Sequence, residues 1–230
     1  MSIKKIIAIA SAKGGVGKSS ITSLFALSLA KNFNIGILDA DIYGPNQHIL
    51  FNLNSIKPEI VIKQSKKFFK PLIKNNIKIA SMGPILDDDK AAIWRGPMLS
   101  SALQQLIHST DWGDLDILFV DMPPGTGDAY ITISKELNID GSVFITTANA
   151  LSINDTAKSI NTCKKLNIPI FGYIENSINE LESTLDSNLF GDIPKLTSIK
   201  FNKKIYTMDF SDSLISSLKL DKVYENFINT

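Results

Sequence analysis

The chain contains 230 residues, of which 44% are hydrophobic, and this length corresponds to about one and a half average domains of roughly 150 residues. Its 24 basic and 23 acidic side chains leave a formal net charge of +1, which argues against a module that binds nucleic acid or anionic lipid through charge alone. The single cysteine, Cys163, excludes an internal disulfide, so we expect a reducing compartment such as the cytoplasm or an organelle matrix. His48 and His108 do not have the spacing of zinc ligands.

Short hydrophobic runs rich in β-branched residues alternate with longer segments that have helical spacing. The predicted strands cover residues 6–10, 35–38, 77–81, 117–120, 142–146 and 168–174. The predicted helices cover residues 19–32, 97–108, 128–137, 152–166 and 212–227. A strand followed by a helix, repeated along the chain, is typical of a mostly parallel sheet with helices on both faces. No linker or internal repeat divides the sequence, so we expect residues 1–230 to form a single α/β domain.

Two segments resemble targeting or interaction signals, and both have a simpler interpretation. The hydrophobic run after Lys4 and Lys5 is short and leads directly into a glycine loop, which favours a buried strand over a signal peptide. Six lysines lie between residues 63 and 78 without an acidic residue, interleaved with Phe68 and Phe69. A solvated hairpin with both phenylalanines turned inward is preferred to a nucleic-acid or membrane patch.

A glycine-rich loop, SAKGGVGKSS at residues 11–20, joins the first predicted strand to the first predicted helix. Glycines in such a loop let successive backbone N–H groups face one anion, and the start of the helix adds the positive end of its dipole. Lys18 is then placed to reach the β- and γ-phosphates of a nucleotide, and the Ser19 hydroxyl to bind Mg²⁺. The predicted nucleotide-binding residues of the loop are Gly14, Gly15, Val16, Gly17, Lys18, Ser19 and Ser20.

The loop departs from the standard P-loop pattern, G-x-x-x-x-G-K-S/T, at its first position. Ala12 stands where the pattern has glycine, and a second lysine, Lys13, follows it. A tight strand-to-helix turn is the alternative, but a turn alone does not require Lys18 and Ser19 at these offsets. The sequence therefore favours a phosphate site.

Acidic residues follow two other predicted strands. Asp121 ends the fourth strand, so its carboxylate is expected at the carboxyl edge of the sheet, where it can hold Mg²⁺. In the PPGTGD segment that follows, Gly125 has no side chain to keep its N–H away from a γ-phosphate. Asp39 and Asp41 end the second strand and point the same way, so both can face the metal ion and the attacking water. The alternative for at least one of them is a cap on the next helix.

These motifs resemble a known group of ATPases. The loop at residues 13–19 is similar to the deviant Walker A motif of the MinD, ParA and nitrogenase iron-protein ATPases. Four further stretches resemble the Mrp/ApbC branch, the iron-sulfur cluster carrier ATPases, and this resemblance runs from about residue 3 to about Asn176 and weakens afterwards. They are DADIYGPN at 39–46, WRGPM at 94–98, WG at 112–113 and DMPPGTGD at 121–128. The fold that the resemblance implies is a P-loop NTPase domain.

The resemblance implies a homodimer that encloses two ATP molecules, in which Lys13 of each subunit reaches the nucleotide of the other. A second ammonium group would stabilise charge on the transferred phosphoryl group, as an arginine finger does. The resemblance also assigns Asp41 to the attacking water, Asp39 to the magnesium site and Asn176 to adenine. From the residues alone, Lys13 is compatible with a solvated loop charge and Asn176 with an ordinary turn residue.

The sequence departs from the cluster carriers where their C-x-x-C pair follows a Glu-Asn-Met stretch. Here residues 175–177 read ENS, and the INELESTL stretch that follows contains no cysteine. Four thiolates usually hold a four-iron cluster, whereas a dimer of this chain has only its two Cys163 side chains, so a bound iron-sulfur cluster is doubtful. Cys163 lies in a predicted helix, where a packing role is the preferred interpretation. Residues 146–149 read TTAN, where relatives usually carry Pro-Gln after the two threonines.

Three functions are compatible with these motifs. The first is an ATP-hydrolysing carrier or accessory factor in iron-sulfur cluster assembly, with iron-sulfur donor or acceptor proteins as partners. The second is a positioning ATPase similar to MinD or ParA, although the charges of the C-terminal helix cancel and attract anionic lipid little. The third is a nucleotide-gated adaptor without a cluster. We predict ATPase chemistry with Lys13, Lys18 and Asp41 as catalytic residues and with Ser19, Asp39 and Asp121 at Mg²⁺.

Overall fold

The computed structural model describes residues 2–63, 65–85, 96–180, 185–186 and 188–228. The strands are β1 (Ile3–Ser11), β2 (Ile35–Asp39), β3 (Ile60–Lys63), β4 (Lys66–Phe69), β5 (Leu72–Lys74), β6 (Ile77–Ala80), β7 (Leu115–Asp121), β8 (Gly141–Thr146), β9 (Ile170–Asn176) and β10 (Lys195–Ile199). The helices are α1 (Lys18–Leu29), α2 (Gln47–Leu50), α3 (Gly96–Ser109), α4 (Asp128–Glu136), α5 (Ala150–Lys165), α6 (Lys203–Tyr206), α7 (Asp212–Leu218) and α8 (Leu220–Ile228).

Eight of these strands form one sheet with the order β10-β9-β8-β1-β7-β2-β6-β5. All neighbouring pairs are parallel except β5 and β6, which run antiparallel. The mostly parallel sheet predicted from the alternating pattern is therefore confirmed. Because parallel strands end at the same edge, the segments that follow β1, β2 and β7 meet there, and this edge positions the candidate site.

Two helical layers bury the central strands from both sides. Alternate side chains of β1 face opposite layers, so Ala8 packs with the cluster that contains Tyr130 of α4 and Ile160 of α5. Ile9 belongs to the second cluster, which contains Phe25 of α1 as well as residues of α7 and α8. Burying each large apolar side chain contributes about 1.5–3 kcal/mol, so the strands form a rigid base for the loops at their carboxyl ends.

The predicted elements agree with the structure except at the C-terminal helix. Each of the six predicted strands and the first four predicted helices is present, with ends that differ by three residues or fewer. The prediction of one helix over residues 212–227 is wrong, because Lys219 adopts a left-handed conformation with φ of 51° and separates α7 from α8. The break allows Leu214 and Phe227 to join the same buried cluster.

Several short elements have no counterpart in the predicted pattern, namely β3, β4, β5, β10, α2 and α6. The first half of the lysine-rich segment belongs to the antiparallel β3–β4 hairpin, in which Lys66 and Lys67 are exposed and Phe68 and Phe69 are half-buried, and its second half continues into β5 and β6. This arrangement confirms the solvated hairpin. The first two residues of the WRGPM motif at 94–98 lie outside the described residues. Among the helices that the structure describes, none combines the length and apolar character needed to span a membrane.

The helix α5 begins two residues earlier than predicted because Asn149 caps it. The Oδ1 atom of Asn149 accepts hydrogen bonds from the backbone N–H groups of Leu151 at 2.9 Å and Ser152 at 3.4 Å. A side-chain cap of this kind satisfies N–H groups that otherwise lack a partner at the start of a helix. The TTAN stretch thus fixes the start of the helix that carries Asp155.

Candidate functional site

The glycine loop between β1 and α1 lines a cavity of about 400 Å³ at the carboxyl edge of the sheet. Its lining includes Lys13, Gly14, Gly15, Gly17, Lys18, Ser19, Ser20 and Asp41. Gly15 and Gly17 have φ values of 80° and 87°, a left-handed conformation that side chains other than glycine rarely tolerate. Of the predicted loop residues, Val16 alone does not line the cavity, since its side chain is buried in the core.

Asn176, the last residue of β9, holds this loop in place. Its Nδ2 atom donates a hydrogen bond to the Val16 carbonyl at 2.8 Å, and a side chain at Gly17 would collide with the same amide. Asn176 also lines a second cavity, of about 270 Å³, which adjoins the first at Gly15 and Tyr206. The remaining lining of the second cavity includes Ser177, Ile178, Lys200, Phe201, Asn202 and Ile205. Asn176, which is predicted to contact adenine, therefore lines the second cavity and also fixes the loop.

A buried ion pair lies beneath the first cavity. The Nζ atom of Lys18 is 2.5 Å from Oδ1 of Asp121, and their side chains are only 7% and 0% exposed. Thr22 of α1 donates a second, longer hydrogen bond of 3.4 Å to the same carboxylate oxygen. Breaking a buried pair of this kind leaves an uncompensated charge, so the ammonium group stays with Asp121 unless another anion replaces it.

Asp39 lies beside Asp121, because the two residues are register partners on β2 and β7. The Oδ2 atom of Asp39 accepts hydrogen bonds from the N–H groups of Asn46 and Gln47 at 3.0 Å each and from the Ser81 hydroxyl at 2.9 Å. Asp39 thus also binds the start of α2, as the capping alternative predicted. Burial, and then the negative charge of Asp121, raises the pKa of Asp39 to about 7.

The other oxygen of Asp39 has no such partners. Within the described residues, Oδ1 of Asp39 is buried without a hydrogen-bond partner. A buried carboxylate oxygen without a donor is expected to bind a cation or to carry a proton. Together with the Ser19 hydroxyl and Asp121, it offers the hard oxygen ligands that Mg²⁺ prefers. These residues therefore fit a magnesium ion.

Gln47 connects the two carboxylates to α1. Its side-chain amide donates hydrogen bonds to Asp121 Oδ2 at 2.8 Å and to the Ser19 carbonyl at 3.0 Å. Its Oε1 atom accepts a hydrogen bond of 2.8 Å from Ser23. Sequence alone does not assign Gln47, Ser81 or Thr22 to the site, because a buried polar side chain carries no spacing signal that sets it apart from a surface residue.

The remaining predicted catalytic residues lie at the mouth of the cavity. Asp41 is half-buried, and its Oδ1 atom accepts a hydrogen bond from the Gly44 N–H at 3.3 Å. Burial raises the pKa of Asp41, and the positive charge of Lys18 opposes this effect. Lys13 is among the residues that line the cavity, but its Nζ atom lies 3.1 Å from Oδ2 of Asp155. The structure therefore brings Asp41 close to Lys18 and binds Lys13 to α5.

Gly125, like Val16, does not line the first cavity. Its N–H group donates a hydrogen bond of 2.8 Å to the Ser11 carbonyl, and Pro124 rather than Gly125 lines the cavity. Gly125 has a left-handed φ of 81°, which explains a glycine at this position. In this conformation the segment after β7 touches the glycine loop but does not present the Gly125 N–H to the cavity.

Comparisons with known proteins place the chain in a family. A sequence model for "ParA: NUBPL iron-transfer P-loop NTPase" matches residues 2–200. The chain is 44% identical over 176 residues to an iron-sulfur cluster carrier protein of Pseudomonas fragi. It is 46% identical over 176 residues to an iron-sulfur protein required for NADH dehydrogenase, mitochondrial, of Arabidopsis thaliana. Each alignment covers 76% of this chain but only 60% and 55% of those proteins, so the chain spans little more than half their length.

Solved structures share the fold of this chain. The nucleotide-binding protein of Archaeoglobus fulgidus in complex with ADP is 26% identical, with a TM-score of 0.70 over 93% of this chain and 88% of that one. The cell division ATPase MinD of Pyrococcus furiosus has a TM-score of 0.71 at 18% identity, over 97% of this chain and 99% of that one, and so shows the shared fold. Because the family model matches most of the sequence, the chain belongs to the NUBPL iron-transfer P-loop NTPase family of the ParA group.

Proposed function

We propose that this chain binds and hydrolyses Mg-ATP and that it acts in the transfer of iron-sulfur clusters. The observation that carries the proposal is the cavity at the glycine loop, which Lys18, Ser19 and Asp41 line. The two buried carboxylates, Asp39 and Asp121, lie side by side on neighbouring strands at the same edge of the sheet. A loop of backbone N–H groups, an ammonium group and hard oxygen ligands at one place suit a triphosphate with its metal ion. The relatives named as cluster carriers support the cellular role.

Each residue at the cavity has a defined part in this proposal. The N–H groups of the glycine loop and the Lys18 ammonium bind the phosphates, while Ser19, Asp39 and Asp121 hold Mg²⁺. The metal ion, when bound, supplies positive charge that offsets the charge of the phosphate oxygens. When nucleotide binds, the Lys18 ammonium leaves Asp121 and binds phosphate oxygens. Until then, its ion pair with Asp121 neutralises the charge of the buried lysine.

Asp41 and Lys13 complete the proposed chemistry. Asp41, at the mouth of the cavity, orients the attacking water and accepts its proton, a role helped by a pKa raised through burial. In the proposed homodimer, Lys13 leaves Asp155 and stabilises charge on the phosphoryl group bound by the partner subunit. The adjoining cavity at Asn176 accommodates the adenosine part of ATP. We also propose that residues 1–230 act as one ATPase domain.

The single thiol bears on how the chain handles an iron-sulfur cluster. Cys163 is fully buried in α5, and its Sγ atom lies 2.8 Å from the hydroxyl of Tyr130. A thiolate ligand must reach the cluster, and this side chain is enclosed by the core. We therefore propose that the cluster, as cargo, takes its thiolate ligands from a donor or acceptor protein. The same observation favours a second candidate function, a nucleotide-gated adaptor that brings such proteins together without contacting the cluster.

Titration calorimetry and turnover test the proposed ATPase. We expect the wild type and Asp41→Ala to bind Mg-ATP with similar affinity, and the turnover of the variant to fall by about 100-fold or more. Wild-type protein that shows no heat with Mg-ATP would contradict the proposal. Equal turnover of the two proteins would remove Asp41 from it.

Anaerobic reconstitution distinguishes the two cellular roles. After treatment with iron and sulfide, we expect neither the wild type nor Cys163→Ser to retain a cluster by iron counting and absorbance. A loaded cluster donor mixed with an apo acceptor should then transfer iron faster when this chain and Mg-ATP are added, if the chain is a transfer factor. Formation of a donor–acceptor complex without faster transfer would favour the adaptor.

A further inference from the structure

Gln47 is a completely buried amide at the centre of the candidate metal site, and the roles proposed above do not use it. It is the first residue of the short helix α2 and has no exposed surface. Its backbone N–H donates to Asp39 Oδ2 at 3.0 Å, and its side-chain Nε2 donates to Asp121 Oδ2 at 2.8 Å. One residue therefore contacts both carboxylates that are proposed to hold Mg²⁺.

The surroundings fix the orientation of the Gln47 amide. The Ser19 carbonyl and the carboxylate of Asp121 can only accept hydrogen bonds, so the NH₂ group must face them. The Ser23 hydroxyl, at 2.8 Å, then donates to the Oε1 atom on the other side. Both N–H bonds and the carbonyl of the amide are thus satisfied, which leaves the side chain one orientation.

In this geometry the two oxygen atoms of each carboxylate have different surroundings. Asp39 Oδ2 is held by the start of α2 and by Ser81, whereas Oδ1 has no partner among the described residues. Asp121 Oδ2 is held by Gln47, whereas Oδ1 faces the ammonium of Lys18. Gln47 therefore binds one oxygen of each carboxylate and leaves the other oxygen to a positive charge, which at Asp121 is the Lys18 ammonium.

We propose that Gln47 is a positioning residue for the magnesium site, which sets the separation and rotamers of Asp39 and Asp121 and ties them to the Ser19 backbone. The inference rests on the proposed function, since it concerns the metal ion that accompanies ATP. Mg²⁺ demands near-ideal octahedral geometry, so its affinity depends on ligands that are held in place. Two buried carboxylates on adjacent strands repel each other unless a donor lies against them.

The test compares nucleotide binding with and without magnesium in Gln47→Met, which has a similar shape but no donor. We expect the affinity for ATP in the presence of a chelator to stay within about twofold of wild type, and the gain in affinity from Mg²⁺ to shrink at least about tenfold. Titration calorimetry with ATP measures both quantities. Gln47→Asn is a milder second variant, whose shorter amide cannot reach Asp121 and the Ser19 carbonyl together.

Gln104→Met is the matched control. It makes the same chemical change at an exposed residue of α3 and removes one amide–carboxylate hydrogen bond, to Glu136 at 2.8 Å. The control should keep the full magnesium gain. Folded Gln47 variants that also keep it, with lower thermal stability alone, would make Gln47 a merely structural residue and overturn this role. Wild-type protein without nucleotide binding would instead overturn the proposed function, and this role with it.

Discussion

Lys13 and Asp155 form an ion pair within one chain, with 3.1 Å between Nζ and Oδ2. The side chains are 41% and 31% exposed, and Asp155 also contacts Lys158 on the same helix at 3.2 Å. The hydrogen bonds from Lys13 and then Lys158 lower the pKa of Asp155, so this carboxylate stays ionised near neutral pH. In the proposed dimer, Lys13 must break this pair before it reaches the nucleotide of the partner subunit.

The variant Asp155→Asn should therefore release Lys13. We expect ATP turnover at low protein concentration to rise by about two- to fivefold, since an exposed pair stabilises the bound position of Lys13 only modestly. The measurement is turnover against protein concentration, in which the variant should reach half-maximal specific activity at a lower concentration than wild type.

The control for this prediction is Asp192→Asn. It removes a similar exposed pair, between Asp192 and Lys164 at 2.6 Å, which does not involve the glycine loop. Its concentration dependence should match wild type. A rise in turnover for Asp192→Asn, or none for Asp155→Asn, would show that the Lys13 pair does not restrain the enzyme.

The buried pair between Lys18 and Asp121 has a different consequence. Lys18→Ala should abolish turnover, and it should also destabilise the protein without nucleotide by about 3–5 kcal/mol, because Asp121 is left buried beside Asp39. Chemical denaturation measures the free energy of unfolding. Lys164→Ala, which breaks an exposed pair, should leave this free energy unchanged. Equal stability of Lys18→Ala and wild type would argue that the pair is solvated.

The fold could be predicted from the sequence because its central strands obey a simple rule. Strands such as β2 and β8 are buried throughout, so their sequences IGILD and GSVFIT are nearly continuous apolar runs. The short edge elements have no such pattern. The division between α7 and α8 was hidden because Lys219, whose left-handed conformation ends α7, is a good helix former in isolation.

The site was predictable to the extent that its residues follow strand ends or belong to the glycine loop. The meeting of Asp39 with Asp121 follows from the order of parallel strands, in which β2 and β7 are neighbours. The hydrogen bonds of Gln47 and Ser81 to these carboxylates depend on the path of irregular segments, which local sequence does not determine. The ion pair between Lys13 and Asp155 likewise depends on how α5 packs. From the sequence, Lys13 could only be interpreted as a solvated loop charge or as a lysine that reaches the nucleotide of the other subunit.

Ionisation of the buried Asp39 should lower the free energy of unfolding as the pH rises. Its folded pKa of about 7 lies above the ordinary 3.8, so the folded state binds more protons than the unfolded state between these values. The contribution is fully present below the unfolded pKa and is lost as the pH rises through about 7, with a slope of at most about 1.4 kcal/mol per pH unit. Asp39→Asn should flatten the decline, as measured by denaturation without Mg²⁺ and nucleotide.

Asp116→Asn is the control, because the pKa of Asp116 is lowered in the folded protein whereas that of Asp39 is raised. Hydrogen bonds from Lys4 and from the Asn34 backbone lower the pKa of Asp116, so its small contribution is lost as the pH falls. Removing this carboxylate should leave the decline between about pH 4 and pH 7 in place. A wild-type protein whose stability does not fall across this interval would show that Asp39 is ionised throughout.

Cys163 should be nearly inert in the folded protein. The side chain is fully buried, and burial raises the pKa of its thiol, so little thiolate is present near neutral pH. We expect a thiol reagent at about pH 8 to modify the native protein at least about a hundredfold more slowly than the denatured one, because modification requires local opening of α5. Cys163→Ser supplies the blank for the assay. Rapid modification that stops when Mg-ATP is added would instead reveal a nucleotide-dependent exposure of this thiol, and the packing role would then be wrong.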